Sequence, residues 1–506
     1  MAEKTKYFPV AFEMDSDATR PPILDSSGLV LKRSDKNTKS IVSAIKVMGW
    51  VLTLIVPFVL YTYLNHVSVF SSNIVMFISI TSISLIMWLF NLQQAFVAPL
   101  LAVLLLLLAG LAPPEIILSG FSSNSFILSI SILGLGCVIV KTGLSRRYSL
   151  WLLNILPENS FFYQLALFFT GLIFTPVVPS IPGRTSISAP VLGSMVNDLD
   201  EKTKQKNSAM LYSAGLDGTT FLSAVFLTGA PANLFIYGLL PTKEQQAFQF
   251  TNWLIAASVT GGIMLILYFL ISWVYFRAYG KVKISKGFIV QEIEKLGPVS
   301  HQELMTVLCI IFLAVGIITT SIHKIEIPFI AFSLFMVLVF LGILTPKQFR
   351  TGIDWPFLFL LGSVIGVIAT MKHLNIDDIL VNNLSWLGVY MRNDFRVFIL
   401  LLTGMIIVVR FFLPMNTTNF IFASALIPLA SAQGVNPWLI GFCILLITET
   451  SFFNYQSPHI QFFRDAHGAY LNMNEAKVCI FRAILLVVKI SAIYLSFSWW
   501  EARGIL

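Results

Sequence analysis

From Ile41 almost to the end of the chain, apolar stretches long enough to cross a bilayer follow one another with only short polar breaks between them. An α-helix rises 1.5 Å per residue and a bilayer's hydrocarbon core is about 30 Å thick, so roughly 20 apolar residues make one crossing. The chain therefore reads as an all-α polytopic membrane protein. Spans are expected near Val47 to Leu64, Ile74 to Phe90, Ala95 to Ala112, Phe126 to Val140, Met210 to Leu240, Trp253 to Phe276, Met305 to Thr320, Pro328 to Leu344, Pro356 to Met371, Leu439 to Tyr455 and Val478 to Trp499, about eleven in all. Composition agrees: 56% of the 506 residues are hydrophobic and only 11% are charged.

The net charge of +8 is scattered among loops, which fits membrane topology better than nucleic-acid binding. Under this count Lys141, Arg146, Arg147, Lys202, Lys204, Lys281, Lys283, Lys286, Lys295, Lys347, Arg350, Arg464 and Lys477 share one side, while Lys243, Lys324 and Arg392 are among the few opposite. The positive-inside rule makes the first side cytoplasmic. It places the polar residues 1–44, read as a disordered tail without a cleavable signal, in the cytoplasm and the C-terminus on the opposite side. The remaining divisions are a first membrane repeat over 45–276, a cytoplasmic linker over 277–304 and a second repeat over 305–506. Cys137, Cys309, Cys443 and Cys479 stand singly, so neither disulfides nor a zinc site is expected. The six histidines lack metal-ligand spacing, and there is no H-E-x-x-H, G-x-S-x-G or P-loop. An enzyme is not expected.

Two apolar segments resist counting as ordinary spans. Between Pro157 and the charged "NDLDEKTKQK" from Asn197, an arm from Phe161 to Val178 meets the polar break "SIPGRTS", after which about ten residues remain. Both flanks fall on the cytoplasmic side, so the segment reads as a re-entrant hairpin, tolerated at membrane depth only if buried in protein or lining a wet cavity. Val397 to Leu429 reads as its mirror, entering from outside. "SIPGRTSISAP" and "TNFIFASALIP" form a weak internal repeat. Paired hairpins of opposite topology mark an inverted-repeat transporter with a midplane site, which suits alternating access better than a passive channel. Each hairpin precedes a span that breaks partway, around Gly229, Pro231 and Asn233 in "LDGTTFLSAVFLTGAPANLF" and around Asn454 to Pro458 in "ITETSFFNYQSPHIQFF". Half-helix N-termini favour an anion and unwound carbonyls can hold Na+.

Several motifs in order, "KTGLSRR", "SAVFLTGAPAN", "KLGPVSHQE", "GIDWPFLFLLG" and "NYQSP", give roughly Lys46 to Trp500 a resemblance to the divalent anion sodium symporters. That family carries di- and tricarboxylates, citrate among them, and sulfate. The resemblance implies a homodimer whose hairpin-bearing transport region moves elevator-fashion against a scaffold. It implies a Ser-Asn-Thr triplet at each tip, touching substrate and Na+. Counting back from the following proline, the first triplet falls on Ser180, Ile181 and Pro182 and the second on Thr418, Asn419 and Phe420, with Asn416 and Thr417 beside it. The Na+ ligands this implies are Ser180, Gly229, Thr418 and Asn419. Around the anion, the candidate residues are Ser180, Gly183, Arg184, Thr185, Thr228, Asn233, Asn416, Thr417, Thr418, Asn419, Gln456, Ser457 and Pro458. "PSIPGRT" is similar to the P-S-N-T-A-R tip of the dicarboxylate and citrate exchangers. Arg184 is expected to replace a bound Na+ as the positive charge facing a dianion, so that exchange or altered coupling follows, or else to snorkel to the cytoplasmic mouth or pair with an acid such as Asp217. Asp217 and Glu449, at similar places in the two halves, are candidates for taking protons or for ion pairing, and Lys489 for pairing or snorkelling. A related ion antiporter, a proton-coupled carrier and a sensor that no longer transports remain open alternatives.

Overall fold

A computed structural model of the chain describes residues 36–67, 70–157, 159–197, 201–276, 286–376, 379, 384–452, 456 and 475–506. Every regular element among these residues is helical. Six helices are long and apolar enough to cross a bilayer: Ala44–Val67, Ser72–Leu89, Asn124–Lys141, Phe250–Phe276, Trp355–His373 and Glu475–Ala502. Five shorter apolar helices, Val97–Leu108, Ser160–Leu172, His301–Ile317, Ile327–Phe340 and Pro437–Thr448, join them. The protein is an integral, multi-pass membrane protein. Its outer surface is correspondingly apolar: Leu54 and Phe58 of the first span are 76% and 69% exposed, and Phe340 is 89% exposed.

The expected span from Met210 to Leu240 is two helices, Glu201–Thr220 and Pro231–Leu239, separated by an irregular stretch that holds one 3-10 turn, Ser223–Val225. The break thus begins about ten residues before Pro231. Pro231 opens the second helix at its first position, where a missing N–H costs nothing, and Asn233 lies inside that helix.

Both hairpins are present as helix, break and helix: Ser160–Leu172 with Ile181–Asn197, and Phe395–Arg410 with Met415–Ala432. The arms of each pack on one another. Contrary to the sequence reading, "SIPGRTS" is not the break. The chain leaves the helix at residues 173–180 and helix resumes at Ile181, giving a second arm of 17 residues rather than about ten. Local chemistry explains the shift. The Ser180 hydroxyl accepts the Gly183 N–H at 3.1 Å and its carbonyl accepts the Arg184 N–H at 3.0 Å, an N-cap, while Pro182 sits in the first turn where its fixed φ is helical.

Two glycines bring the first hairpin against the broken span. A Cβ on Gly218 would lie 2.2 Å from the Phe168 carbonyl oxygen, and one on Gly171 would lie 2.4 Å from the Gly218 carbonyl carbon. Only hydrogen atoms fit between these backbones.

On the side assigned to the cytoplasm, two of the sequence motifs meet. Arg147 of "KTGLSRR" donates from Nε to Glu303 Oε1 at 3.1 Å and from its terminal nitrogens to the carbonyls of Gly297 and Pro298 at 2.9 and 3.2 Å. Glu303 also closes a capping box with Ser300 at the start of the helix His301–Ile318. The linker motif "KLGPVSHQE" is therefore a helix cap that docks on the first half of the chain.

Gly218→Ala is expected to destabilise the protein by about 1–3 kcal/mol, since the added methyl meets backbone that cannot retreat. Thermal unfolding of the purified protein in detergent measures this; an unchanged melting temperature would refute the close packing.

Candidate functional site

The two hairpin tips meet at a cavity of about 220 Å³. Its walls are Ser180 to Gly183 from the first tip, Met415 and Asn416 from the second, Ala230 to Ala232 at the break of the first broken span, and Gly136, Lys141 and Asp354 from neighbouring elements. Three helices, Ile181–Asn197, Pro231–Leu239 and Met415–Ala432, begin at this cavity. Each presents the partial positive charge of its N-terminal turn and N–H groups that no intrahelical carbonyl can reach. A concave space ringed by such termini is suited to an anionic group.

Behind the tips lie two guanidiniums. Arg184, fully buried, donates from Nε and Nη2 to the Thr219 carbonyl at 2.9 and 2.6 Å, and from Nη1 to the Gly229 carbonyl at 2.8 Å and the Val178 carbonyl. These carbonyls belong to the end of the broken helix, its unwound stretch and the hairpin break. Arg410, 2% exposed, performs the same task in the second half. It bonds the Thr448 carbonyl at 3.1 Å, the Leu413 carbonyl at 3.0 Å, the Thr450 and Gln456 carbonyls at 3.3 Å and the Ser451 hydroxyl at 2.8 Å. The two residues are not repeat-related: Arg184 lies in the first turn of its hairpin's second arm, whereas Arg410 ends the first arm of the other.

The other intramembrane charges gather on the far side of the tips. Lys489 Nζ pairs with Glu449 Oε2 at 3.1 Å, and the Ser223 hydroxyl bonds Glu449 Oε1. Asp217 Oδ2 accepts the Tyr268 hydroxyl at 3.2 Å. Arg482, which the sequence reading passed over, lies two turns before Lys489 on the same face of its helix and is 6% exposed. Its i, i+7 spacing from Lys489 was the available signal. Among the described residues, Arg184, Arg410, Arg482 and Lys489 thus stand against Asp217 and Glu449 around the two tips. By formal charge this set carries two more positive groups than negative ones.

Of the candidates named from sequence, Ser180, Gly183 and Asn416 line the tip cavity. The other described candidates sit behind it, most of them bonded to backbone carbonyls near the breaks. Thr185 bonds its hydroxyl to the Ile181 carbonyl, Thr228 to the Pro176 carbonyl and Thr418 to the Pro414 carbonyl. Asn233 donates to the carbonyls of Ser223 and Phe226. Asn419 Oδ1 accepts the Thr448 hydroxyl, Gln456 spans Phe452 N and the Arg410 carbonyl, and Thr417 is buried. Apart from Gln456, the break from Asn454 to Pro458, with Ser457 and Pro458, lies outside the described residues, as do His459 and residues 1–35 of the tail. Position along each tip helix also pairs Ile181 with Met415, four residues away from the register obtained by counting back from the prolines. Lys141, Ala230, Ala232 and Asp354 were not foreseen; they come from elements that only tertiary packing brings to the tips.

Two helical hairpins whose tips meet beside helix breaks, inside a multi-pass bundle, define a membrane protein with a pocket onto which three helix N-termini open. The family model described as the sodium:sulfate symporter transmembrane region matches residues 46–506, and the chain belongs to that family. This agrees with the resemblance read from the motifs. Among relatives, a Bacillus subtilis protein provisionally named the malate transporter YflS is 28% identical over 214 residues, 41% of this chain and 44% of that protein. An uncharacterized transporter of Haemophilus influenzae is 26% identical over 293 residues, 56% of this chain and 61% of its own length. The L-tartrate/succinate antiporter of Escherichia coli K12 is 26% identical over 194 residues, 37% of this chain and 39% of that protein. The chain thus spans about half the length of the curated relatives it matches.

Replacing Arg410 with Leu would strand five buried acceptors at about 1–3 kcal/mol each. Arg410→Leu is expected to lose most of its folded yield and Arg410→Lys to fall between it and wild type, as read by monodispersity and melting temperature. A wild-type melting temperature for Arg410→Leu would contradict the assignment.

Proposed function

We propose that the protein is a secondary transporter of small dianions, di- or tricarboxylates above all, that exchanges one for another without Na+. The observation that carries this is the pair of guanidiniums at the helix breaks. Unwound carbonyls are the groups that could hold sodium, and here they are spent on arginine N–H donors. Of the candidate Na+ ligands, the Gly229 carbonyl accepts from Arg184, Asn419 Oδ1 accepts from Thr448, Ser180 Oγ accepts from Gly183 and Thr418 gives its proton to Pro414. Each of these oxygens is already engaged in a hydrogen bond, which disfavours a sodium ion here. Fixed cations stand in for it.

Exchange follows from electrostatics. With four buried cations against two carboxylates, the empty core carries two uncompensated positive charges, which a dianion neutralises. Moving the core uncompensated through a low-dielectric region is costly, so transit favours the loaded form. The name of the Escherichia coli relative, an antiporter of tartrate and succinate, points the same way. Elevator movement of the hairpin region, assembly as a homodimer, a cytoplasmic N-terminus and a C-terminus on the other side complete the reading, the first two from the family resemblance and the orientation from the distribution of loop charges.

Uptake of labelled malate, succinate, tartrate, citrate and sulfate into proteoliposomes tests it. Internal counter-substrate should drive uptake of at least one dicarboxylate with Na+ absent, and a Na+ gradient alone should drive none. Uptake that requires a Na+ gradient and ignores counter-substrate would overturn the exchange reading, and no uptake of any anion would overturn the substrate class.

A further inference from the structure

A second, smaller cavity of about 50 Å³ lies beyond the tips. It is lined by Asp217 and Thr220 at the end of the broken helix, by Glu449, Thr450 and Ser451 at the second break, and by Arg482 and Lys489. Ile181 and Met415 line both cavities, so this apolar pair is the wall between them.

Every other intramembrane charge around this space has a bonded partner: Glu449 has Lys489 and Ser223, Asp217 has Tyr268, and Arg184 and Arg410 have their carbonyls. Arg482 differs. Its Nη1 and Nη2 are buried and, among the described residues, meet no hydrogen-bond acceptor; the Asp217 carboxylate acts on it through charge without bonding it, and the Thr450 hydroxyl beside the same cavity is likewise buried without a hydrogen bond. A guanidinium out of water with both terminal nitrogens unsatisfied is among the most unfavourable arrangements a protein can hold, and it is relieved by an acceptor that carries negative charge. The acceptor must be compact, because the space is about a quarter of the tip cavity. It must also accept several donors at once, from the guanidinium fork and the Thr450 hydroxyl.

We propose that Arg482 and Thr450 form a second anion site, distinct from the tip cavity, that takes one compact anionic group. Two sources share that chemistry: a free inorganic anion of halide size, and one terminal carboxylate of a dicarboxylate that has passed the Ile181 and Met415 wall. The site stands on the unpartnered guanidinium and does not require that the protein transport anything.

The test uses the full-length protein purified in a buffer whose only anion is a bulky organic sulfonate. Bromide and formate are titrated at constant ionic strength while the melting temperature is followed. Saturable stabilisation is expected in the wild type, with the half-saturating concentration raised about tenfold or more in Arg482→Gln and less in Arg482→Lys. Thr450→Val, which keeps the charge and the volume, should weaken the response even if Arg482→Gln does not fold. Crystals soaked in bromide should show an anomalous peak beside the guanidinium. A succinate titration repeated with saturating bromide separates the sources: stabilisation that adds to that of bromide identifies a free inorganic anion, whereas competition identifies the substrate's carboxylate. A purely linear salt response in the wild type, or one unchanged in both Arg482→Gln and Thr450→Val, would overturn the site. Because no transport is measured, its failure would leave the exchange reading untouched.

Discussion

A helix that unwinds inside a bilayer exposes carbonyl groups that no water can reach, and the rest of this structure is arranged around how they are bonded. Two arginines supply the donors, one for each break. Arg184 ties the Thr219, Gly229 and Val178 carbonyls into one cluster, and Arg410 ties Leu413, Thr448, Thr450 and Gln456 into another. In each case the hairpin and the broken span that follows it share a single guanidinium. The tips are held where three helix N-termini open on one cavity, and the hydroxyls and amides that looked like ligands are largely occupied in fixing the backbone that frames it.

The likeness between the halves is one of task rather than of sequence. Arg184 and Arg410 occupy different arms of their hairpins, so an alignment of the two repeats would not pair them. What each break demands is a planar, permanently charged fork with several donors, and arginine meets that demand from whichever position reaches it. Ile181 and Met415, in contrast, match by position along their helices and share a wall.

Much of the architecture was legible in the sequence because bilayer physics writes it in long runs: the length of the apolar stretches, the two polar interruptions and the broken span after the first hairpin. Boundaries at the interruptions were not. Proline and glycine announce that a helix changes, but Pro182 and Pro231 are compatible with a first helical turn as well as with a break, and the Ser180 cap decided between them only in three dimensions. The same limit applies to the site. A polar side chain at a tip is visible in one dimension, whereas its choice between a cavity and a neighbouring carbonyl is made by packing. That choice put Asn233, Thr228 and Gln456 behind the cavity and Lys141 and Asp354 beside it. Arg482 escaped attention because its only sequence signal is a cation, Lys489, two turns further along an apolar helix, with no motif around either. The docking of Arg147 on Glu303 shows the converse, two short motifs whose meaning appears only when they touch.

The surplus of two positive charges in the core has a consequence for energetics of a different kind. Carrying one elementary charge through 100 mV of membrane potential involves about 2.3 kcal/mol. Under the proposed reading, a core with two fixed cations and a bound dianion crosses with no net charge, and the returning core, loaded with another dianion, does the same. The voltage that powers a sodium-coupled carrier then does no work on this one in either direction. Direction and extent are left to the two concentration ratios alone, so such a protein can raise one anion only as fast as another runs down and cannot change their total.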